Sequence, residues 1–344
     1  MKFAHFSDCH IGGWREEELK KLNLEAFSKG IDICIKENVA FVLISGDLFN
    51  TSLPQIDLIK DVAKHLYRLR ENDIEVYIIP GSHDFSPSGK TMLDVLEGAG
   101  LCVNVFKPKD NKLEIFTDKT GVKIAGMLGL KGGLEKIHYK EFDFSNIEKE
   151  DGFKIFMFHT LLDELKLERF KMIECDSVKT FPKNFDYYAG GHPHYVLQKN
   201  IENYGLMTYP GPVFPNNFEE LENLKHGGFY IVDDKLNIKH LPLKVKDVIS
   251  FTFNADEFSA EELEEHMIKT LEKSNLKDKL VSLRIEGTLK SGKPSDVDFN
   301  KVFEAAKDAY YILKNTYKLN SKEFEEFNIE HSNMEELEKN IIKE

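Results

Sequence analysis

Arginine, glutamine, tryptophan and cysteine are all scarce in this chain of 344 residues: five Arg against 41 Lys, two Gln (Gln55 and Gln198), one Trp and four Cys. The cysteines (Cys9, Cys34, Cys102, Cys175) stand far apart with no CxxC pair. That excludes a zinc ribbon or disulfide framework and suits reduced, mostly buried thiols. No apolar run approaches the roughly 18–20 residues a membrane helix needs. Asp8 and His10 interrupt the N-terminus before the apolar stretch of a signal peptide forms. The expectation is a cytoplasmic protein with no membrane attachment. Positive charge is also in deficit: 46 Lys and Arg against 59 Asp and Glu give −13. This excludes a surface coated in basic charge for nucleic acid. It leaves room for a local site where bound cations and a few lysines supply the positive charge. The Lys/Glu-rich, amide-poor composition resembles that of thermophilic proteins.

What is present is globular. Hydrophobic residues make up 41%, enough for a core, and the length suggests two domains. Residues 2–7 read as a strand and 16–37 as a helix with Leu19, Leu22, Phe27, Ile31 and Cys34 on one face. Ala40–Ser45 is a continuous apolar run, hence a buried strand. Ser52-Leu-Pro-Gln55 has the form of a capping box, opening a helix with Ile56, Ile59, Ala63, Leu66 and Leu69. Glu75–Pro80, Lys154–Phe158 and Asp186–Ala189 are further strands. This alternation argues for an α/β sandwich. Beyond about residue 245 a small separate α/β unit is expected: strand Val248–Phe253, a helix capped by Ser259 and Glu262, strand Leu280–Leu289, helix Asp296–Ala306 and strand Tyr310–Leu313. The division expected is 1–245, 246–315 and a charged, helical tail over 316–344.

Residues of metal-ligand type cluster at five strand ends: Asp8-Cys-His10, Gly46-Asp47, Gly81-Ser-His-Asp84, His159 and Gly190-Gly-His-Pro-His194. In open α/β folds, sites form outside the carboxyl ends of strands, and all five motifs obey that placement. His5, His65, His138, His226 and His240 have no such context and are set aside as structural. Carboxylate plus imidazole without thiolate suits Mn²⁺, Fe²⁺ or Zn²⁺ better than Mg²⁺ or Ca²⁺. Six ligand-type side chains (Asp8, His10, Asp47, His159, His192, His194) exceed what one catalytic ion needs. They suit two ions about 3.5–4 Å apart sharing a carboxylate, the arrangement that binds phosphate oxygens and activates water. Gly89-Lys90-Thr91 mimics the end of a phosphate-binding loop, but position 84 is Asp where that motif needs Gly. Ser88–Ala99 instead reads as a helix with Ser88 near its cap.

The series Asp8-x-His10, Gly46-Asp47, Gly81-x-His83-Asp84, His159 and Gly191-His-x-His194 resembles the calcineurin-like metallophosphoesterase superfamily. Ser7-Asp8-x-His10-x-Gly12, Ser45-Gly-Asp-Leu-Phe49, Gly190-Gly-His-Pro-His194 and Tyr209-Pro-Gly211 resemble the archaeal Mre-eleven nucleases and the bacterial SbcD subunit. The resemblance implies a two-sheet α/β sandwich with a smaller α/β domain that caps DNA. It implies two Mn²⁺ per chain, one held by Asp8, His10, Asp47 and His194 and the other by Asp47, His159, His192 and the residue at position 82, with Asp47 bridging. It places His83 beside the scissile phosphate to protonate the leaving 3′-oxygen, with Asn50 and Asp84 supporting. The implied activities are 3′-to-5′ exonuclease on duplex DNA and endonuclease on single strands, in double-strand-break repair. The implied partners are DNA ends, hairpins and single strands, a second copy of the chain, and a Rad-fifty or SbcC-type SMC-like ABC ATPase that takes a C-terminal helical segment. Dimerisation would use the helices after Asn50 and Ser88, with Ile56, Ile59, Leu66, Leu93 and Val95.

Two positions depart from the family. Ser82 stands where Asn is usual; its hydroxyl is neutral but shorter. Asn50 stands where His is common and does not titrate. Gly46-Asp-Leu-Phe-Asn50-Thr lacks the Arg with which related phosphatases grip a phosphomonoester, which favours a phosphodiester. Cation steering of DNA falls to loop lysines such as Lys90, Lys131, Lys290 and Lys293. The alternatives are a phosphodiesterase acting on a small phosphodiester or nucleotide, and a scaffold with a degenerate site.

Overall fold

The computed structural model describes residues 1–86, 89–134, 137 and 139–322. It divides into two compact units, Met1–Asn216 with His226–Val245, and Asn217–Lys225 with Lys246 onward.

The first unit is a sandwich of two six-stranded sheets. One sheet runs in the order Ile238–Leu243, Gly227–Asp233, Lys2–Phe6, Phe41–Ser45, Glu75–Ile79, Val103–Asn104; its last four strands are parallel and the first two antiparallel. The other runs Val196–Ile201, Gly205–Pro210, Tyr187–Gly191, Lys154–His159, Lys123–Gly126, Phe116–Thr117, with the middle four parallel. The inner faces share an apolar layer including Phe3, Phe41, Leu43, Ile79, Ile155 and Met157. Parallel strands are covered on both faces, and the outer faces comply. Helix Glu17–Lys36 turns Leu19, Leu22, Ala26, Phe27, Ile31 and Cys34 inward at helical spacing. Its Gly30 lets the ring of Phe6 approach, since a Cβ there would lie 2.7 Å from Phe6 Cε1. The outer face of the second sheet packs against a cluster rich in aromatics, among them Phe156, Phe158, Phe181, Tyr188 and Tyr209.

The second unit is a parallel three-stranded sheet, Val248–Asn254, Leu280–Leu289 and Tyr311–Ser321. Helices Ala260–Glu272 and Phe299–Glu304 complete its core with Leu263, Met267, Leu271 and Val302. The capping box forms as the sequence predicts: Glu262 N donates to Ser259 Oγ at 3.2 Å, and Ser259 N to Glu262 Oε2 at 2.8 Å.

Several expectations need correction. The boundary at residue 245 overlooks helix Phe218–Leu224, which belongs with the second unit; Arg284 forms an ion pair with its Glu222. The last strand continues to Ser321, so the predicted tail begins too early at 316; residues 323–344 lie outside the described residues. Ser52–Gln55 makes no capping box, because Gln55 is extended and caps with no side-chain bond. The helix after Ser88 spans only Met92–Gly98, with Thr91 as its cap; Ser88 lies outside the described residues. Leu66 and Leu93 are core, whereas Ile56 is 83% and Val95 55% exposed. No helix among the described residues is long and apolar enough to cross a membrane.

Candidate metal centre

Strands from both sheets end at one place. Asp8 and His10 follow Lys2–Phe6, Asp47 follows Phe41–Ser45, and Ser82 and His83 follow Glu75–Ile79, all in the first sheet. His159 closes Lys154–His159, and His192 and His194 follow Tyr187–Gly191, in the second. The backbone stitches the loops together: Asp8 N donates to Gly46 O at 3.2 Å, His10 N to Asp47 O at 2.9 Å and Ile11 N to Leu48 O at 3.0 Å. Asp84 ties in the third loop, accepting from Leu48 N, Phe49 N and Gly81 N at 3.0–3.1 Å. It is a loop organiser, and burial with the nearby Asp47 charge pushes its carboxyl up to about 7.

The turns are sharp. Asp8, His10, Asp47, His192 and His194 all have positive φ, at 50°, 43°, 54°, 102° and 51°. Such conformations cost roughly 1–2 kcal/mol each outside glycine and gather at functional sites. Gly81 is required by space alone: a Cβ there would lie 2.2 Å from Asp47 Oδ1.

The side chains converge. His10 Nε2 lies 2.9 Å from His194 Nε2 and 3.6 Å from Asp47 Oδ2. His159 Nε2 is 3.2 Å from Asp47 Oδ2 and 4.0 Å from Asp8 Oδ1, and His194 Nε2 is 3.5 Å from Asp8 Oδ1. Asp8 and Asp47 are each 1% exposed. Among the described residues three overlapping sets have ligand atoms within 4.8 Å of one another: Asp8, His10, His194; Asp8, Asp47, His159; and His10, Asp47, His83.

Hydrogen bonds fix which nitrogens face inward. A carbonyl only accepts, so His159 Nδ1 donates to Ser45 O at 2.8 Å. Its Nε2 then faces the carboxylates, buried and 3.2 Å from Asp47 Oδ2, where it offers a lone pair to a metal or, without one, holds a proton toward Asp47. His10 Nδ1 likewise donates to Asn50 Oδ1 at 3.1 Å, leaving Nε2 inward. Two imidazoles and two carboxylates facing one another in a largely buried site call for cations, and this donor set fits divalent metal ions.

The electrostatics agree. Burial drops His10 and His192 to about 3, so both stay neutral donors. Burial raises the Asp8 carboxyl against the pull of His194 and His159. Burial opposes charge on His159 too, but Asp47 and Asp8 outweigh it and lift its imidazolium to about 10. Burial also presses on Asp47, yet His159 and His10 hold it below the usual carboxylate range. Without metal, a proton on His159 takes the place of a cation beside Asp47; metal binding releases such protons.

Other residues take more particular positions. Ser82 donates to Asp47 Oδ2 at 3.4 Å and is buried. His192 joins none of the three sets; its ring lies 5.2 Å from that of His159, and its backbone N–H donates to Asp8 Oδ1 and Oδ2 at 2.9 and 3.1 Å. Asn50 meets His83 through its backbone: His83 Nδ1 donates to Asn50 O at 2.8 Å. Lys90 and Lys131 are exposed, and Lys131 follows two residues after Gly129, which packs on His159. Lys290 and Lys293 belong to the second unit, where Lys290 pairs with Glu262 at 2.7 Å.

Sequence reasoning missed Ser7, Asn23, His5 and Ser45. Ser7 Oγ donates to Asp8 Oδ2 at 2.6 Å, and Asn23 Nδ2 donates to Cys9 O, between the first two ligand-type residues, at 2.9 Å. His5 is fully buried. Its signal was available: a polar side chain on the inward face of an apolar strand needs a partner.

Residues 1–196 match the calcineurin-like phosphoesterase family. The chain is similar to three curated proteins named DNA double-strand break repair protein Mre11. That of Thermoplasma acidophilum is 29% identical over 83% of this chain and 77% of its own. That of Methanococcus maripaludis is 29% identical over 68% and 63%. That of Sulfolobus acidocaldarius is 26% identical over 92% and 82%.

Proposed function

The chain belongs to the calcineurin-like phosphoesterase family, and on that premise we propose that it is a Mn²⁺-dependent DNA nuclease of double-strand-break repair, acting as 3′-to-5′ exonuclease on duplex DNA and as endonuclease on single strands. The observation that carries the metal-dependent chemistry is the set of buried carboxylates and inward-facing imidazoles contributed by both sheets. DNA as the substrate is supported by the relatives' printed names and by the absence of Arg from Gly46–Thr51, where a clamp for a terminal phosphate dianion would sit.

The ligands in this reading are Asp8, His10, Asp47 and His194 for one ion and Asp47, His159, His192 and Ser82 for the second. When bound, two divalent cations supply Lewis-acid stabilisation of phosphate oxygens and acidify water. The chain's own residues do the rest. Asp47 is held between the two halves by His83 N, which donates to its Oδ1 at 2.7 Å. The Asn50 carbonyl fixes the His83 ring, so that Nε2 is the atom free to carry a proton to the leaving 3′-oxygen. Ser7 and the His192 backbone N–H orient Asp8. The second unit acts as the DNA cap, the exposed Ile56 and Val95 lie on the helices that pair two copies, and an SMC-like ABC ATPase is the partner.

The test uses 5′-labelled duplex DNA with Mn²⁺, Mg²⁺ or EDTA, for wild type and His83→Ala, beside bis-p-nitrophenyl phosphate. Ladders shortening from the 3′ end in Mn²⁺, lost in His83→Ala, are expected. Cleavage of the small ester alone refutes the nuclease reading.

A further inference from the structure

Directly beneath the candidate metal centre, the apolar layer between the sheets is interrupted by a chain of buried polar side chains. Thr208 Oγ1 donates to the Tyr187 hydroxyl at 2.8 Å, and the Tyr187 hydroxyl lies 2.8 Å from His5 Nδ1. His5 Nε2 is 3.1 Å from Ser45 Oγ, and Ser45 Oγ donates to Ala189 O at 2.9 Å. His5, Ser45 and Thr208 are wholly inaccessible, as are Tyr187 and Ala189.

The directions from Ala189 back to Tyr187 follow from the terminus, and the Thr208 proton takes the shorter of its contacts. Ala189 O only accepts, so the Ser45 proton points there and Ser45 Oγ accepts from His5 Nε2–H. His5 Nδ1 then accepts from Tyr187 O–H, whose oxygen accepts from Thr208. Burial keeps His5 neutral, as this pattern requires. Thr208 Oγ1 also lies 3.3 Å from Tyr188 O, a second and longer acceptor for its single proton.

The chain crosses the sandwich twice. His5 and Ser45 lie on Lys2–Phe6 and Phe41–Ser45 of the first sheet, Tyr187 and Ala189 on Tyr187–Gly191 of the second. Each crossing lies a few residues from the ligand loops: His5 precedes Asp8 by three, Ser45 precedes Asp47 by two, and Ala189 precedes His192 by three. Ser45 also supplies the carbonyl that orients His159. Apolar contact alone lets two sheets slide with little change in buried area, because it is non-directional. A directed hydrogen-bond series between named atoms does not.

We propose that His5, Ser45, Tyr187 and Thr208 form a positioning device that locks the first sheet, with Asp8, His10 and Asp47, in register with the second, with His159, His192 and His194, and so sets the affinity of the shared metal centre. The device rests on the metal-centre reading above.

The test is calorimetric titration of the EDTA-stripped full chain with Mn²⁺ alone, with thermal unfolding of the metal-free proteins in parallel. Tyr187→Phe keeps the ring and removes both hydrogen bonds. It weakens Mn²⁺ binding by about 10–100-fold, the range for groups that orient metal ligands. Thr208→Val, similar in volume, does the same to a smaller extent and serves if Tyr187→Phe fails to fold. Ile155→Val trims the same interface without touching a polar atom and leaves Mn²⁺ affinity within twofold. Wild-type affinity in both Tyr187→Phe and Thr208→Val, or an equal loss in Ile155→Val, overturns the positioning role while leaving the metal centre standing. Failure of wild type to bind Mn²⁺ overturns both.

Discussion

Gly81→Ala isolates how tightly the carboxylate shared by the two halves of the site is held. The backbone φ at Gly81 is not in the left-handed region, so the effect of a methyl group is steric. Its Cβ would lie 2.2 Å from Asp47 Oδ1 and 2.3 Å from Asp47 N. Restoring ordinary contact requires Asp47 or Gly81 to retreat by roughly 1 Å. The carboxylate also accepts from His83 N at 2.7 Å, and a charge-assisted bond of this kind is worth about 1.5–3 kcal/mol. Overpacking a close-fitted site adds about 1–3 kcal/mol. The expected loss is therefore roughly 2.5–6 kcal/mol, a large part of the usual ~5–15 kcal/mol of a domain. Urea unfolding in EDTA measures it, and Mn²⁺ titration measures the accompanying loss of affinity. Gly98→Ala is the control: its Cβ meets nothing within 4 Å and its φ is ordinary, so stability stays level or rises by up to about 1 kcal/mol. If Gly81→Ala matches wild type within about 1 kcal/mol and binds Mn²⁺ normally, the crowding of Asp47 described above is wrong.

His83→Gln lowers kcat by about 10²–10⁴-fold, the usual contribution of a general acid, with Mn²⁺ affinity unchanged by calorimetry; a matching loss of affinity would instead make His83 a ligand. His5 is held neutral by burial, down to about 3, against about 6.5 in the unfolded chain. Between those values the unfolded state binds the extra proton, so the contribution of His5 to stability falls by up to about 1.4 kcal/mol per pH unit as pH drops below 6.5, beside those of the other buried histidines. Urea unfolding of the metal-free wild type and His5→Asn at pH 7, 6 and 5 isolates this contribution as the difference in slope, and equal slopes would refute it. Ser259→Ala removes one half of the capping box and costs about 1 kcal/mol in thermal unfolding of the second unit, with no change in Mn²⁺ binding.

The ligand loops were legible because two constraints coincide there. Only a few residue types bind metal, and strand ends of an α/β sandwich can aim them together, so the motifs around Asp8, Asp47, His83, His159 and His192 point to the fold and to a candidate site at once. Elsewhere the signals conflict. Tyr311–Ser321 reads Tyr-Ile-Leu-Lys-Asn-Thr-Tyr-Lys-Leu-Asn-Ser; it is an edge strand of its sheet and Tyr317 is 92% exposed, so its polar half looks like a tail. Phe218–Leu224 is short and buries only Leu221, too little periodicity to reveal that it leaves the first unit. Asn50 is expected only to support the site; its contact with His83 is a backbone carbonyl, which residue type does not encode. His5 was set aside because it has no metal-binding neighbour in sequence. Its neighbours are Tyr187 and Thr208, about 180 and 200 residues away, and only strand order brings them together.

The backbone around the site explains why that cross-sheet series matters. Five ligand-type residues hold left-handed φ values, at roughly 1 kcal/mol or more each, a sum comparable with the net stability of a domain. Asp8 and Asp47 add mutual repulsion in a dry site. Such strain persists only where the surroundings over-determine it. In the first sheet they do: the Asp8–Gly46 and His10–Asp47 bonds and the three bonds to Asp84 clamp its loops to one another. Across to the second sheet the polar ties at the loops include the His192 N–H to Asp8, the His159 Nδ1–H to Ser45 O and Ser7 Oγ to Gly211 O. The His159 bond depends on where Ser45 sits, and the hydroxyl of Ser45 is anchored to Ala189 on one side and His5 on the other. The strained half of the site is thus fixed locally, while its alignment with the other half draws on these loop ties and on the core series below, one residue before the left-handed turn at Gly46 begins.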